Sequence, residues 1–304
     1  MSRIPVIATV AAAYRTVFGS YLRLLGISWA STVLLLGVTL GLLMPLIVRM
    51  DQEMLAGDPQ GALAAVGPLF LFELIAFLLI LVPVTGITRQ VLGHPVTSPF
   101  FYFDIGGDYW RLVLAFVVLG LILIGVTLAV TIPVSIAVGI AAASSAGPNP
   151  DQAALAAQMR AYQPLIVIPV YAVMLFVFVR LGFLLPAIAI EEKRMGIGRN
   201  WRLTRGNSWR IVGMILLILV PLIVLGAIQL VAIALSGGPN YLDLFGTQAQ
   251  SLKASADMIA IYQRYWYVYG VVGLLLYPLF YGPFLVASAY AYRAVVANAP
   301  AEQN

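Results

Sequence analysis

A chain of 304 residues that is 62% hydrophobic and only 10% charged, with mean hydropathy +0.98, has more apolar surface than one water-soluble core can hide, so it belongs in a membrane. It has no cysteine, which excludes disulfides, thiolate chemistry and Cys-ligated metals, and a single histidine, His94, argues against a His-built metal site; no cofactor is implied. The net charge of +5 comes from basic residues beside apolar runs, where they set topology and meet anionic headgroups rather than nucleic acid.

The N-terminus lacks the short apolar core and small-residue cleavage site of a signal peptide. Arg15 and Arg23 instead precede a long apolar run, so the first helix is expected to be retained. Runs of spanning length follow at about 22–48, 66–90, 109–142, 163–190, 208–235 and 262–293, and the alternating ten-residue segments of a barrel are absent. The expected fold class is all-α: a polytopic integral membrane protein with six transmembrane helices in a single membrane domain over 1–304. Lengths above twenty imply tilt or extension beyond the hydrocarbon. The polar stretches 49–65, 144–162 and 236–261 read as loops on one side. Arg3, Arg15, Arg23, Arg89, Arg111, Lys193, Arg194, Arg199, Arg202, Arg205, Arg210 and Arg293 fall on the other, against Arg49, Arg160, Lys253 and Arg264. The positive-inside rule then places both termini in the cytoplasm, in a bacterial cytoplasmic (inner) membrane.

Three outgoing helices begin alike: Gly19-Ser20-Tyr21-Leu22-Arg23, Gly107-Asp108-Tyr109-Trp110-Arg111 and Gly206-Asn207-Ser208-Trp209-Arg210. Ser20, Asp108 and Asn207 are residue types that cap the free N–H groups of a helix start, with an arginine one turn in. Pro45 and Pro133 both follow their arginine by 22, and Pro83, Pro186 and Pro283 precede the basic residues Arg89, Lys193 and Arg293 on the returning helices. The pattern predicts three helical hairpin repeats, about 14–90, 98–195 and 199–293, each introduced by a short interfacial helix. The plainer alternative is that any inward-facing helix start favours a cap and a snorkelling arginine; Gly198 and Arg202 share the spacing outside the pattern.

Residues 191–210 are the most polar stretch, with Lys193, Arg194, Arg199, Arg202, Arg205 and Arg210 between two spans and Trp201 and Trp209 for headgroup depth. At about 1 kcal/mol for each basic side chain near an anionic leaflet, this loop is a candidate contact for lipid headgroups or a partner. The same charges also serve as a topology signal. Arg180 lies inside the fourth span and is expected to meet Glu191 or a lipid phosphate. Glu73, near the outer end of the second span, reads as a hydrated helix residue. Too few buried charges exist to draw a proton relay. Prolines occur in every span, as broken transporter helices also have. Tyr262, Tyr265, Trp266, Tyr267 and Tyr269 fit an aromatic belt, and His94 beside Pro95 reads as a structural turn residue.

The run from Arg180-Leu181-Gly182-Phe183-Leu184-Leu185-Pro186 to Glu191, followed by Asn200-Trp201-Arg202-Leu203-Thr204-Arg205-Gly206-Asn207-Ser208-Trp209-Arg210, resembles the signature of the glycerophosphoryl diester phosphodiesterase membrane-domain family. The resemblance implies the six-helix membrane fold. The family's catalytic barrel and its His, Glu and Asp metal ligands have no counterpart in this sequence, so the family name does not imply an activity. No nucleophile, metal set or acid–base pair emerges and no catalytic residue is named. The expected function is therefore non-enzymatic: association with membrane lipids of anionic headgroup, or with another membrane component, through the basic loop. The alternative is a transporter or flippase for a lipid-like or amphipathic substrate, which predicts a polar cavity lined by Arg180, Glu191 or Glu73.

Overall fold

The computed structural model describes residues 3–55, 59–96, 98, 100–145, 152–235 and 248–297. Among them every regular element is helical: α1 (Val6–Gly19), α2 (Tyr21–Val38), a π-turn (Thr39–Leu43), α3 (Met44–Leu55), α4 (Pro59–Ala64), α5 (Val66–Val91), α6 (Gly107–Ser145), α7 (Gln152–Leu181), α8 (Leu185–Glu191), α9 (Ile197–Leu203), α10 (Ser208–Leu235) and α11 (Gln248–Val296). Six stretches are long and apolar enough to cross a membrane: Tyr21–Met50, Val66–Val91, Gly107–Ser144, Pro164–Glu191, Ser208–Ile228 and Gln263–Val296. They coincide with the runs read from hydropathy, and the chain is a multi-pass membrane protein.

The differences from the sequence reading have local causes. Most of 49–65, and the described parts of 144–162 and 236–261, are helical: α3, α4, α7 and α11 continue past the apolar runs. Hydropathy marks where a helix leaves the hydrocarbon, not where its hydrogen bonds stop. Residues 146–151 and 236–247, and the side chains of Arg160 and Tyr262, lie outside the described residues. The fourth span is broken at residues 182–184, where α7 gives way to α8 with Pro186 in its first turn, a position at which the missing N–H costs nothing. Pro45 follows the π-turn, in which the Met44 N–H reaches back to the Thr39 carbonyl; the wider turn accommodates the proline ring. Short helices precede the first and third outgoing spans, but 100–106 before the second is irregular. α1 is also more than interfacial, because Thr9, Val10, Ala13 and Val17 are buried.

Backbone carbonyls near three helix-interior prolines are bonded by side chains of neighbouring helices. Proline removes one helical hydrogen bond and its ring weakens the next, so carbonyls one turn earlier need other donors. The Tyr14 hydroxyl donates to the Ile218 carbonyl at 2.8 Å, three residues before Pro221. Tyr21 donates to Leu275 at 2.5 Å, three before Pro278; separately, Ser288 donates to the Phe183 carbonyl at 2.6 Å in the break between α7 and α8. Tyr109 donates to Leu78 at 3.0 Å, one residue before the carbonyls that Pro83 affects.

The packed core lies toward the face that carries the basic helix ends, hereafter the basic face. α8 is its centre: Leu185, Pro186, Ala187, Ile188, Ala189 and Ile190 are all buried, packed against α5, α6, α9 and α11. Gly86 allows the closest approach on α5, since a Cβ there would lie 2.5 Å from Ile27 and 2.7 Å from Tyr102. Toward the distal face α6, α7, α10 and α11 present exposed leucine, isoleucine, valine and phenylalanine, as expected where lipid is the solvent.

Candidate lipid-contact site

The basic face is a set of charges sorted by which carboxylates they meet. Asp108, almost wholly buried at the start of α6, receives Lys193 Nζ at 2.9 and 3.1 Å and is also paired with Arg111. Arg89 bonds Asp104 at 2.8 Å and lies 3.9 Å from Asp108. Glu192 pairs with Arg194, with Arg199 at 3.2 Å, and accepts the Tyr292 hydroxyl at 3.1 Å. Burial works against the Glu192 charge, but hydrogen bonds from Arg194 and Arg199 outweigh it and hold this carboxyl below the usual range. Tyr102, with no exposed surface, is pushed up to about 12, first by burial and then by the nearby Asp104. Lys193, Arg194 and Arg199, three of the expected headgroup contacts, thus have carboxylate partners within the chain.

Four of the expected headgroup contacts remain, and Arg15, Arg23 and Arg293 on the same face likewise have no carboxylate within ion-pair distance among the described residues. Arg180 is buried, with 8% of its surface exposed, and its guanidinium carbon lies 4.0 Å from the centre of the Trp201 ring. Its Nη1 donates to Ser208 Oγ at 3.3 Å and its Nε has no hydrogen-bond partner. Arg210 donates to the Ile4 carbonyl at 3.1 Å, and Arg202 and Arg205 are exposed. Among the described residues none of Arg180, Arg202, Arg205 and Arg210 has a carboxylate within ion-pair distance. Trp201 and Trp209 beside them are 43% and 86% exposed, which suits headgroup depth.

The expected Arg180–Glu191 contact is absent. Eleven residues of helix would separate the two by about 16 Å, and Glu191 instead faces His94 Nε2 at 3.5 Å. His94 therefore does have a carboxylate neighbour, contributed by a segment almost a hundred residues away. Capping also differs. Ser20 makes no side-chain cap bond, the Asp108 carboxylate serves the ion pairs, and Asn207 Oδ1 accepts the Ile4 N–H at 3.2 Å. Of the three motif arginines, Arg111 is held by its own Asp108 and Arg210 by the N-terminal segment. Gly206, with φ of 80°, occupies the left-handed region before α10. Gly19 ends α1 and Gly107 opens α6.

Two partners were missed by sequence reasoning. Asn200 is fully buried with both side-chain amide atoms unpaired, and its carbonyl accepts Thr204 Oγ1 at 2.8 Å. The same hydroxyl lies 3.3 Å from the Arg180 carbonyl, which joins α9 to the end of α7. The only sequence signal was that Asn200, Trp201, Thr204 and Ser208 all belong to the family-like stretch.

Among the described residues three cavities bear on the site, one on this surface and two away from it. One of about 480 Å³ lies on the basic face beside Arg194, Arg199 and Arg202. A second, of about 490 Å³, lies at the distal ends of the spans among Pro45, Arg49, Gln263 and Trp266. The third, of about 570 Å³, separates α10 from α11. No family model, curated protein or solved structure matches the chain. No group of three or more His, Cys, Asp or Glu side chains suited to a metal ion occurs among the described residues. Glu73 is exposed on α5 and lines none of the three cavities.

Proposed function

We propose that this is a non-enzymatic multi-pass protein of the bacterial cytoplasmic membrane, with both termini in the cytoplasm, that associates with anionic lipid headgroups through Arg180, Arg202 and Arg205. The carrying observation is the division of charge along this stretch: Lys193, Arg194 and Arg199 have carboxylates and Arg210 is held by the Ile4 carbonyl, whereas these three have no carboxylate. Arg202 and Arg205 are open to a headgroup phosphate while Arg180 is buried against Trp201, and a guanidinium is the side chain best matched to that group. The resemblance of residues 180–210 to the phosphodiesterase membrane-domain family supports a membrane role without an activity. The transporter reading has less support, because no cavity described above is lined by Arg180, Glu191 or Glu73.

The same proposal includes three diverged hairpin repeats. Its support is that Tyr21 and Tyr109, which hold the same motif position, each bond a carbonyl of a returning helix, α11 and α5 respectively. Ser208, at that position in the third copy, meets Arg180 of the returning helix α7. Each outgoing helix is thereby joined to the returning helix of another repeat.

The test is lipid selectivity in bilayers of phosphatidylcholine containing spin-labelled phosphatidylglycerol. The expected result is a preference for the anionic label over labelled phosphatidylcholine that weakens with salt. Equal immobilisation of the two labels would overturn the reading.

A further inference from the structure

Between α5 and α6 the chain makes an excursion whose two ends are held by one side chain. Arg89, in the last turn of α5, donates through Nη2 to the Pro95 carbonyl at 3.2 Å and through Nη1 to Asp104 at 2.8 Å. Between these anchors the backbone turns beside α2: the Trp29 indole N–H donates to the Phe100 carbonyl at 2.5 Å, and the Phe101 ring meets the same indole edge-on, 5.9 Å between centres. Trp29 lies six residues past Arg23 on α2, about 9 Å along the helix toward the distal face. On the way back Tyr102 is wholly buried and, with Ile27, closes over Gly86 of α5. The chain thus leaves Arg89, turns against the apolar run of α2 and returns to Arg89, which is the path of a re-entrant loop.

What this loop presents outward is apolar. Residues 95–103 contain no charged side chain, and Phe100, Phe101, Phe103 and Ile105 are exposed, Phe100 with 81% of its surface. Tyr102 and Asp104 alternate with them and turn inward, to the core and to Arg89. The chain runs on into α6, whose exposed Trp110, Leu114 and Leu121 belong to its lipid-facing side. The backbone at the turn also has its own partners: besides the Phe100 carbonyl on Trp29, the Phe100 and Phe101 N–H groups reach Ser98 Oγ at 3.4 and 3.2 Å. Irregular backbone can approach the hydrocarbon only when its polar groups are satisfied in this way, whereas a turn bathed in water needs no such provision.

We propose that residues 100–105 form a re-entrant aromatic wedge seated among the lipid acyl chains of the leaflet on the basic face. Phe100, Phe101, Phe103 and Ile105 are its lipid contacts, and Arg89 fixes its ends at the headgroup boundary, where an arginine is at home. The partner is the lipid chain rather than the headgroup, so the wedge is separate from the arginine surface and does not depend on it.

The chain has no cysteine, so a nitroxide can be attached to the full-length protein at one introduced position at a time. Phe100→Cys and Ile105→Cys replace exposed side chains, and Gly198→Cys, where a Cβ meets no atom within 4 Å, supplies a reference on the basic loop. In phosphatidylcholine nanodiscs the labels at 100 and 105 are expected to collide more often with oxygen than with a water-soluble nickel chelate, and the label at 198 to show the reverse. Collisions dominated by nickel at 100 and 105 would overturn the proposal by placing the loop in water. Protection of both positions from both reagents would overturn it as well, by showing the surface covered by protein, and dipolar broadening between labels on two copies would identify that protein as a second copy of the chain.

Discussion

Replacing Asp108 with asparagine removes one carboxylate and releases two cations, and thus tests whether pairing, rather than the number of basic residues, decides which of them meet lipid. Asp108 bonds Lys193 and Arg111 and stands 3.9 Å from Arg89. A hydrogen bond to a charged group is worth about 1.5–3 kcal/mol when protected. Lys193 and Arg111 keep 52% and 34% of their side chains exposed, so screening reduces this to about 1–2 kcal/mol in total. D108N should therefore unfold more easily in a detergent titration while remaining folded in its absence. The released cations each gain up to about 1 kcal/mol at an anionic leaflet. Discounted by half because both already reach solvent, the gain is about 1 kcal/mol, or about fivefold in preference for spin-labelled phosphatidylglycerol over phosphatidylcholine. A folded D108N protein with unchanged or lower anionic preference would refute the reasoning.

Other outcomes follow from the same geometry. Tyr14→Phe and Tyr21→Phe should each lose about 1 kcal/mol in thermal or detergent unfolding, because each leaves a carbonyl beside a proline without its donor; no change in either would count against the hydroxyl as the tie. Gly86→Ala forces a methyl within 2.5 Å of Ile27 and should cost about 1–3 kcal/mol, read by the same titration. Glu192 has a lowered carboxyl pKa, so its contribution is fully present above the ordinary value of about 4.3 and fades as pH falls through the lower folded value. Acid unfolding of Glu192→Gln should show a shallower pH dependence below that point, and identical profiles would contradict the pairing.

The six spans were legible because twenty consecutive apolar residues have few other uses, and Arg180 stood out as a charge among them. Polar helices such as α4 and the first turns of α11 are invisible to hydropathy, because helicity outside the hydrocarbon leaves no such signal. Prolines mark where helical hydrogen bonds are lost, but not that Tyr14, two hundred residues from Ile218, bonds a carbonyl beside one of them. The site was half legible for the same reason. Composition counted the arginines of the 191–210 stretch correctly, yet their partners Asp108 and Glu192 are chosen by packing: Lys193 and Asp108 are 85 positions apart. Capping propensity suggested a task for Ser20, Asp108 and Asn207, and tertiary partners took the last two for other work.

Two double variants compared in one lipid-selectivity experiment test the central claim most directly. Arg202→Gln with Arg205→Gln removes cations that have no carboxylate; Arg194→Gln with Arg199→Gln removes the same charge from residues paired with Glu192. The account predicts that the first pair abolishes most of the preference for phosphatidylglycerol and the second leaves it nearly intact. Equal losses from the two would contradict it.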